Sequence, residues 1–311
     1  MHTKRVCDII NKEKNDGEKE DENMFKLTTD STADLPEDYL ELNKIRCINL
    51  SYIVDGRTYG QGLNISSKAF FKMMRDGKMP TTSQINPQEA KTFFEGLIGR
   101  QHNEILHLCF SSGLSGSYNN TKMAAEEVMA EHPECRIIVI DTLCASMGEG
   151  LLVYKAAQMR DQGKSIDEVA EWIETNKKNV VHILTVDDLN HLHRGGRVSK
   201  ASAILGTLAG IKPVIHVDNQ GQLFNFDKIR GRKKALTFLV DYMEQKTSGY
   251  SPKNDIVMIS HGDALEDATF VRNMIRERFG IENIMINDLG PVIGAHTGPG
   301  MIALFFMGMN R

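Results

Sequence analysis

Short apolar runs alternate with amphipathic segments along this chain, and the alternation predicts strands and helices in turn. Apolar runs at 25–29, 105–110 and 136–140 have the length of buried strands. Between them lie segments with apolar residues at helical spacing, such as 70–74 and 123–129. Strands that alternate with helices from residue 25 to about 160 indicate a mostly parallel, doubly wound sheet with an α/β fold.

The pattern changes in the second half of the chain. Apolar runs at 212–217 and 222–229 flank a turn sequence, Asp218 to Gly221, which is typical of a β-hairpin. We therefore expect a second α/β part whose sheet is mixed or antiparallel. Near the end, 290–300 contains four glycines and two prolines around a single histidine. This composition predicts a shaped loop, which an apolar strand at 301–307 follows.

A capping box marks a helix start near the middle of the chain. Ser165 and Glu168 have the spacing at which each side chain accepts a hydrogen bond from the other residue's backbone N–H. We place a domain boundary just before this helix. The prediction is an N-terminal α/β domain at 24–163 and a C-terminal α/β domain at 164–311.

Composition narrows the class of protein. Residues 1–23 are dominated by Lys, Glu, Asp and Asn, which predicts a mobile charged extension. The net charge of −4 gives no electrostatic case for binding nucleic acid or an anionic membrane. Five cysteines without a C-x-x-C pair are typical of reduced thiols in a cytoplasmic protein. We see no apolar run long enough for a membrane span and no apolar stretch of the kind a signal peptide needs.

The stretch from Leu108 to Asn119 is the strongest candidate for chemistry. An apolar strand ends in Ser111-Ser112-Gly113, and Ser115 follows just before a predicted helix. The first backbone N–H groups of a helix lack partners and favour negative charge, so this stretch predicts a site for a carboxylate or a phosphate. The plainer interpretation is a helix capped by serine.

Other polar groups lie at predicted strand ends or in loops. Asp30-Ser31 and Asp141-Thr142 follow strands, and ligands of doubly wound sheets bind outside such carboxyl ends. Thr82-Ser83 is a second hydroxyl cluster, which simple loop hydrogen bonds would also explain. Arg194 and Arg197 flank Gly195-Gly196 and are placed to clamp an anion, or to pair with surface acids. His296 is a good donor to a buried anion, or is bonded only to backbone.

Five ordered motifs resemble the DegV family, from about residue 25 to the end. They are Asp30 to Pro36, Thr81 to Gln84, Ser111 to Tyr118, Arg194 to Arg197 and Gly290 to Gly300. Asn86-Pro87 departs from the family pattern and concerns only a helix start. The resemblance implies a fatty-acid-binding protein of two domains, with an apolar tunnel between them and no cofactor or metal.

The resemblance also implies site residues and a partner. Thr82 and Ser112 would bind the fatty acid carboxylate. Their neighbours at the site would be Ser83, Ser111, Ser115, Arg194 and His296. The protein would not be an enzyme itself. It would be the acyl-carrying subunit of a bacterial fatty acid kinase in phospholipid metabolism, and a separate ATP-dependent subunit would form the acyl phosphate.

Two rival functions start from the same residues. A serine hydrolase would use Ser112 or Ser115 as nucleophile, His296 as base and Asp30 or Asp141 to orient it. No complete G-x-S-x-G elbow surrounds either serine, which weighs against that reaction. An enzyme that binds phosphate or a nucleotide would use Arg194 and Arg197, but we find no G-x-x-x-x-G-K-[ST] sequence.

Overall fold

The computed structural model describes residues 25–99, 103–199 and 210–311, so the predicted extension at 1–23 lies outside the described residues. The strands are β1 (Lys26–Asp30), β2 (Arg46–Ile48), β3 (Tyr52–Val54), β4 (Arg57–Tyr59), β5 (Thr81–Thr82), β6 (Glu104–Cys109), β7 (Arg136–Asp141), β8 (Val180–Thr185), β9 (Ile211–Val217), β10 (Leu223–Arg230), β11 (Val257–His261), β12 (Ile284–Asp288) and β13 (Ile302–Met307). The helices are α1 (Glu37–Leu42), α2 (Ser67–Arg75), α3 (Pro87–Glu95), α4 (Ser117–Glu131), α5 (Met147–Asp161), α6 (Ile166–Asn176), α7 (Asn190–Arg194), α8 (Arg232–Thr247), α9 (Leu265–Phe279) and α10 (Pro291–Thr297).

The first sheet is parallel and has the strand order β2-β1-β6-β7. One face of this sheet buries Ile105 and Ile137 with Phe94 of α3 and Val128 of α4. Leu108 and other residues of the opposite face join the larger core that includes α5 and α6. Helices therefore cover both faces, and the prediction of a parallel, doubly wound sheet is confirmed.

The second sheet is mixed and has the order β10-β9-β8-β13-β11-β12. Only β11 and β12 pair in parallel among the described strands of this sheet, and its other pairs are antiparallel. Helices α8 and α9 bury one face of it. The predicted hairpin is β9–β10, so the prediction of a mixed sheet is also confirmed. A third, small antiparallel sheet has the order β4-β3-β5.

Helix α5 lies between the two large sheets. It packs against β1 and β6 of the first sheet and against β8, β11 and β13 of the second. Its apolar residues point in every direction, as in a helix that is buried all round. Gly148 has no room for a side chain, because a Cβ atom there would overlap the ring of His182. The buried residues of the helix are Met147, Gly148, Glu149, Gly150, Leu151, Leu152, Val153, Ala156, Ala157 and Arg160.

The chain passes from the first sheet to the second at 177–179, a short 3-10 turn. The capping box of Ser165 and Glu168 is present at the start of α6, as predicted. Helix α6 packs against β6 and β7 of the first sheet, so the boundary we place at 163/164 separates α6 from the strands it covers. That boundary stays a prediction.

Arg311 joins the two sheets at one side. Its guanidinium donates to the backbone oxygens of Leu143 at 2.6 Å and Lys177 at 2.8 Å, which lie on the first-sheet side. It also donates to the backbone oxygens of Val180 and Asp218 at 3.0 Å, which belong to the second sheet and its hairpin turn. A guanidinium has five N–H donors in one plane, so it can bind several carbonyl oxygens at once.

The prediction of a shaped loop over 290–300 is wrong, because most of that stretch is helix α10. Pro291 occupies the first turn, where its missing N–H costs nothing and its fixed φ suits the helix. Gly298 follows with a φ of 78° and ends the helix, since residues with side chains rarely adopt that conformation. His296 therefore projects from a helix.

Asp34 connects the first sheet's loops to the second sheet. Its carboxylate accepts hydrogen bonds from the Ser146 hydroxyl at 2.6 Å and from the Gly290 N–H at 2.9 Å. Its backbone oxygen accepts from Asn287 at 2.8 Å. Burial raises the pKa of Asp34 from 3.8 to about 7, against the two hydrogen bonds that favour the charged form.

This raised pKa predicts how stability varies with pH. Between about pH 4 and pH 7 the folded protein keeps the Asp34 proton, whereas the unfolded chain has released it. The contribution of Asp34 to the free energy of unfolding is therefore complete below about pH 4 and is lost as the pH rises to about 7. We expect Asp34→Asn, which cannot ionise, to flatten the fall in unfolding free energy between pH 5 and pH 8 by up to about 3 kcal/mol. Urea unfolding at both pH values measures this. Asp38→Asn, on exposed α1, is the control, and an equally steep fall in Asp34→Asn would contradict the assignment.

Candidate functional site

A cavity of about 310 Å³ lies between the second sheet and the loops of the first. That volume is at the lower end of the usual range for ligand sites, about 300–1,000 Å³. Most of its walls are apolar, and hydroxyl, imidazole and guanidinium groups are among the rest. The lining residues are Leu50, Thr82, Ser83, Gln84, Phe110, Leu114, Ser115, Ala145, Ser146, His182, Leu184, Leu192, Arg197, Val217, Leu223, Val292, Ile293, His296, Thr297, Met301, Ala303 and Phe305.

Thr82 and His296 form a hydrogen-bonded pair in the wall. The Thr82 hydroxyl lies 2.8 Å from Nε2 of His296, while Nδ1 of the ring is buried without a partner. Burial, with the charges of Arg197 and Arg194, lowers the pKa of His296 to about 4, so the ring is neutral at pH 7. Because a buried N–H without an acceptor is costly, we assign the ring proton to Nε2, which donates to Thr82. The Thr82 hydroxyl then keeps its own proton for another acceptor.

Ser115 is held in the same way just before α4. Its Oγ accepts from the Ser117 N–H at 3.2 Å and lies 2.9 Å from the Ser117 hydroxyl. The Ser117 hydroxyl also accepts from the Ile85 N–H at 3.1 Å, so its proton is available for Ser115. With that proton donated, the Ser115 O–H is free. The wall therefore presents two hydroxyl donors, from Thr82 and Ser115, to a ligand that can only accept.

Arg197 supplies the positive charge at this cavity. Its Nε donates to the backbone oxygen of Leu114 at 3.0 Å, and a second nitrogen donates to the backbone oxygen of Gly195. Burial lowers the pKa of Arg197, but a guanidinium stays charged in proteins. Arg194, the arginine that the family resemblance implies, is exposed and lies outside the lining, 3.5 Å from the backbone oxygen of Ala295.

The structure separates the three serines of the central stretch. Ser112 is exposed and outside the cavity lining, and its backbone N–H donates to Asp141 at 3.1 Å. Ser111 is buried and donates to the backbone oxygen of Gly221 at 2.8 Å, so it connects this stretch to the β9–β10 turn. Of the three, only Ser115 lines the cavity. Ser83, also predicted, is an exposed residue of the lining.

The strand ends do meet, as the sequence predicts, but their polar groups satisfy one another. Asp30 accepts from the Phe110 N–H at 2.9 Å, and Asp141 accepts from the N–H groups of Ser112 and Leu143. Neither aspartate contacts His296, and Nε2 of that ring faces a threonine hydroxyl. Among the described residues, the serines, histidine and aspartates of the predicted triad are therefore not assembled into one, and the hydrolase alternative finds no support.

One buried group of side chains has the composition of a metal site. Asp30, His107 and Cys109 offer ligand atoms within 4.8 Å of one another, on the first sheet. The Cys109 thiol lies 3.6 Å from Asp30, and the His107 ring is 2.9 Å from the Thr28 hydroxyl. Burial raises the pKa of the Cys109 thiol well above its usual value, which disfavours the thiolate that a metal needs. We interpret the group as a buried hydrogen-bond network.

Comparison with known proteins assigns the fold to a family. A sequence model described as "Uncharacterised protein, DegV family" matches residues 24–308. A DegV domain-containing protein of Clostridium perfringens is 42% identical over 289 residues, which cover 92% of this chain and 98% of the relative. This chain belongs to the DegV family.

Solved structures of DegV proteins share the fold. A DegV family protein from Thermus thermophilus, whose structure is described by its fatty acid binding, has a TM-score of 0.81 and 28% identity over 92% of this chain and all of that one. DegV from Bacillus subtilis, described as a fatty acid binding protein, has a TM-score of 0.79 and 27% identity over 92% of this chain and 99% of that one. Within the described ranges of this DegV protein, we find no helix long and apolar enough to cross a membrane.

The site predicts a distinct titration for His296. With ¹³C-labelled histidine, we expect its NMR signal to report an Nε2–H tautomer and a midpoint at about pH 4. Arg197 and Arg194 both lower the pKa of His296, and Arg197 has the larger effect. Arg197→Gln should therefore raise that midpoint by roughly half a unit. Arg194→Gln, the matched control, should raise it less. A wild-type midpoint near 6.5 would show that the ring is solvated or paired with a carboxylate, against this geometry.

Proposed function

We propose that this DegV protein binds a long-chain fatty acid in the cavity, with the carboxylate held by Thr82 and Ser115. The observation that carries the proposal is the pair of hydroxyl groups, from Thr82 and Ser115, that line a mostly apolar cavity. A carboxylate is a ligand that can only accept hydrogen bonds, and an acyl chain suits the remaining walls. The fatty acid binding described for the Thermus thermophilus and Bacillus subtilis DegV proteins supports the same ligand class.

The charged and polar groups of the cavity, and the apolar surface that an acyl chain would bury in it, are consistent with a fatty acid. A carboxylate taken from water needs donors and a counter-charge, which the two hydroxyls and Arg197 supply. His296 is neutral and acts through Thr82 rather than as a second cation. An acyl chain of about fourteen methylenes would gain on the order of 10 kcal/mol from burial at about 0.8 kcal/mol each. We therefore propose Ser115 in place of Ser112, the serine that the family resemblance implies.

We further propose that the bound acid is phosphorylated by a separate ATP-dependent kinase subunit in the cytoplasm, as the family resemblance implies, for use in phospholipid metabolism. Ser83 and Gln84 are exposed residues of the lining next to Thr82, which supports a carboxylate end near the surface. Arg230, at the end of β10, and Lys233 and Lys234, in the first turn of α8, are exposed cations. Clustered charge of this kind speeds the encounter with an acidic partner.

The fatty acid proposal is tested by extraction and substitution together. We expect wild-type protein purified from a bacterial host to release a long-chain fatty acid on denaturation, seen by mass spectrometry. Thr82→Val and Ser115→Ala each remove one donor to a charged group, at about 1.5–3 kcal/mol, so affinity for a fluorescent fatty acid should fall roughly tenfold to a hundredfold.

Ser112→Ala is the matched control, a serine three positions away that is exposed, and it should bind as the wild type does. Lipid-free wild-type protein that also fails to bind added fatty acid would reject the function. Loss of binding in Ser112→Ala with none in Ser115→Ala would move the carboxylate to Ser112.

The kinase proposal predicts a docking defect from charge reversal. Lys233→Glu with Lys234→Glu should slow ATP-dependent acyl-phosphate formation at low salt, in a reaction with the kinase fraction of cells that make this protein. The defect should shrink as salt rises, while fatty acid binding stays normal. Arg232 is left intact because it is bonded to Asp267 at 2.8 Å and to the backbone of Gly300. Lys122→Glu with Lys178→Glu changes the net charge equally and should leave the rate unchanged; an equal loss in both double variants would argue against docking at α8.

A further inference from the structure

We propose that Phe305 and His182 form the closed end of the cavity and set the longest acyl chain that it accepts. This inference rests on the proposed function, because it assigns a role to the wall opposite the carboxylate. It concerns selection among fatty acids and not whether a fatty acid binds.

Side chains of β13 and β8 form one wall of the cavity, which we call its floor. The pairing register of these two strands gives the order of the side chains along the floor. Ala303 of β13 lies opposite Leu184 of β8, and Phe305 lies opposite His182. All four line the cavity, and each step of two residues advances about 6.6 Å along the strand. Because β13 begins just after α10, the Ala303 row comes first from the His296 side and the Phe305 row comes second.

The floor ends at this second row. The next pair on the same face is Met307 with Val180, which is buried but does not line the cavity. Along β13 the floor changes from alanine to phenylalanine, so the side chain that an acyl chain meets grows from a methyl group to a benzyl group. A chain that follows Ala303 therefore meets the Phe305 ring as a wall.

His182 makes this wall rigid. Its ring meets Phe305 edge to face, with centroids 5.3 Å apart. Its Nε2 accepts from the Ala145 N–H at 3.2 Å, and its Nδ1 lies 3.1 Å from the Val180 backbone oxygen. Gly148 of α5 packs so closely behind the ring that a Cβ atom would overlap it. The imidazole cannot swing aside, and Phe305, which has no polar bond, is the side chain whose size sets the depth.

One competing path for the acyl chain is visible in the structure. Leu50 and Val292 line both this cavity and a wide groove bordered by α1 and β2. A chain that passed between these two residues would end in the groove, and its length would not depend on Phe305. Leu50→Ala therefore tests this second path, because only a chain that leaves there would respond to Leu50 and not to Phe305.

The experiment is competition among chain lengths. Delipidated wild type, Phe305→Leu, Phe305→Ala and Leu50→Ala are each equilibrated with an equimolar mixture of saturated acids of twelve to twenty-two carbons, and bound acids are identified by mass spectrometry. Removing part of the Phe305 side chain leaves space that added methylenes can fill, so we expect both Phe305 variants to prefer acids about two carbons longer or more. Phe306→Leu, equilibrated in the same way, is the matched control: Phe306 is buried on the other face of β13, outside the cavity lining, so this variant should keep the wild-type preference.

The outcomes separate the two proposals. Wild-type protein that binds none of the acids rejects the proposed function itself. Wild-type binding with an unchanged preference in Phe305→Leu, or a shift in Leu50→Ala instead, rejects the closed end and leaves the function standing. Phe305→Leu keeps an apolar side chain of moderate size, so it carries the test if circular dichroism shows that Phe305→Ala has not folded.

Discussion

Helix α5 is covered by β-sheet on both sides, so the residues of its first two turns must be apolar, small or fully hydrogen-bonded. Glu149 meets this demand by accepting hydrogen bonds from Thr29 at 2.9 Å and Thr32 at 3.1 Å. Burial raises the pKa of Glu149, which is the expected response of a carboxyl group taken out of water. The glycines of α5 let the helix approach its neighbours, and one of them, Gly148, packs against the ring of His182. The cavity exists because the two sheets are held apart by this helix and are not packed directly on each other.

The three serines in the stretch from Leu108 to Asn119 have different contacts, and these follow from that arrangement. Ser111 binds the hairpin turn of the second sheet, Ser112 faces solvent, and Ser115 faces the cavity. Three serines within five positions thus contact three different surroundings, because the chain makes a turn there in which Ser115 N–H bonds to the Ser111 oxygen at 3.2 Å. The polar side of the cavity is assembled from elements far apart in sequence, and rigid secondary structure positions each of them.

The sequence was informative where hydrophobic period and capping agree. The capping box at Ser165 and the β9–β10 hairpin are both local signals, and the structure contains each of them. Glycine content misled us at 290–300, where Pro291 and Gly298 are a start and a stop signal of a short helix. Strand order and the small β4-β3-β5 sheet depend on long-range pairing, which no local pattern reports.

The site shows the same limit. Thr82, Ser115 and His296 could be singled out by residue type, and the structure brings them to one cavity. The sequence could not rank Ser112 against Ser115, since both are small hydroxyl residues near a strand end. It also could not rank Arg194 against Arg197, because the choice depends on a reversal of the chain after α7. Gly196 has a φ of 75° there, and the Arg197 N–H bonds to the Leu192 oxygen at 3.0 Å. Backbone conformation, which residue type alone does not specify, decides both cases.

The Arg311 guanidinium bears on how a lipid would get in. It joins carbonyl oxygens of both sheets on the side where Val180 and Leu143 lie, behind the ring of His182. At the other end of the cavity, where Thr82 pairs with His296 at 2.8 Å, the lining residues Ser83 and Gln84 are exposed. A fatty acid would then slide in methyl end first, and its carboxylate would be the last part to leave water and the first to meet it again.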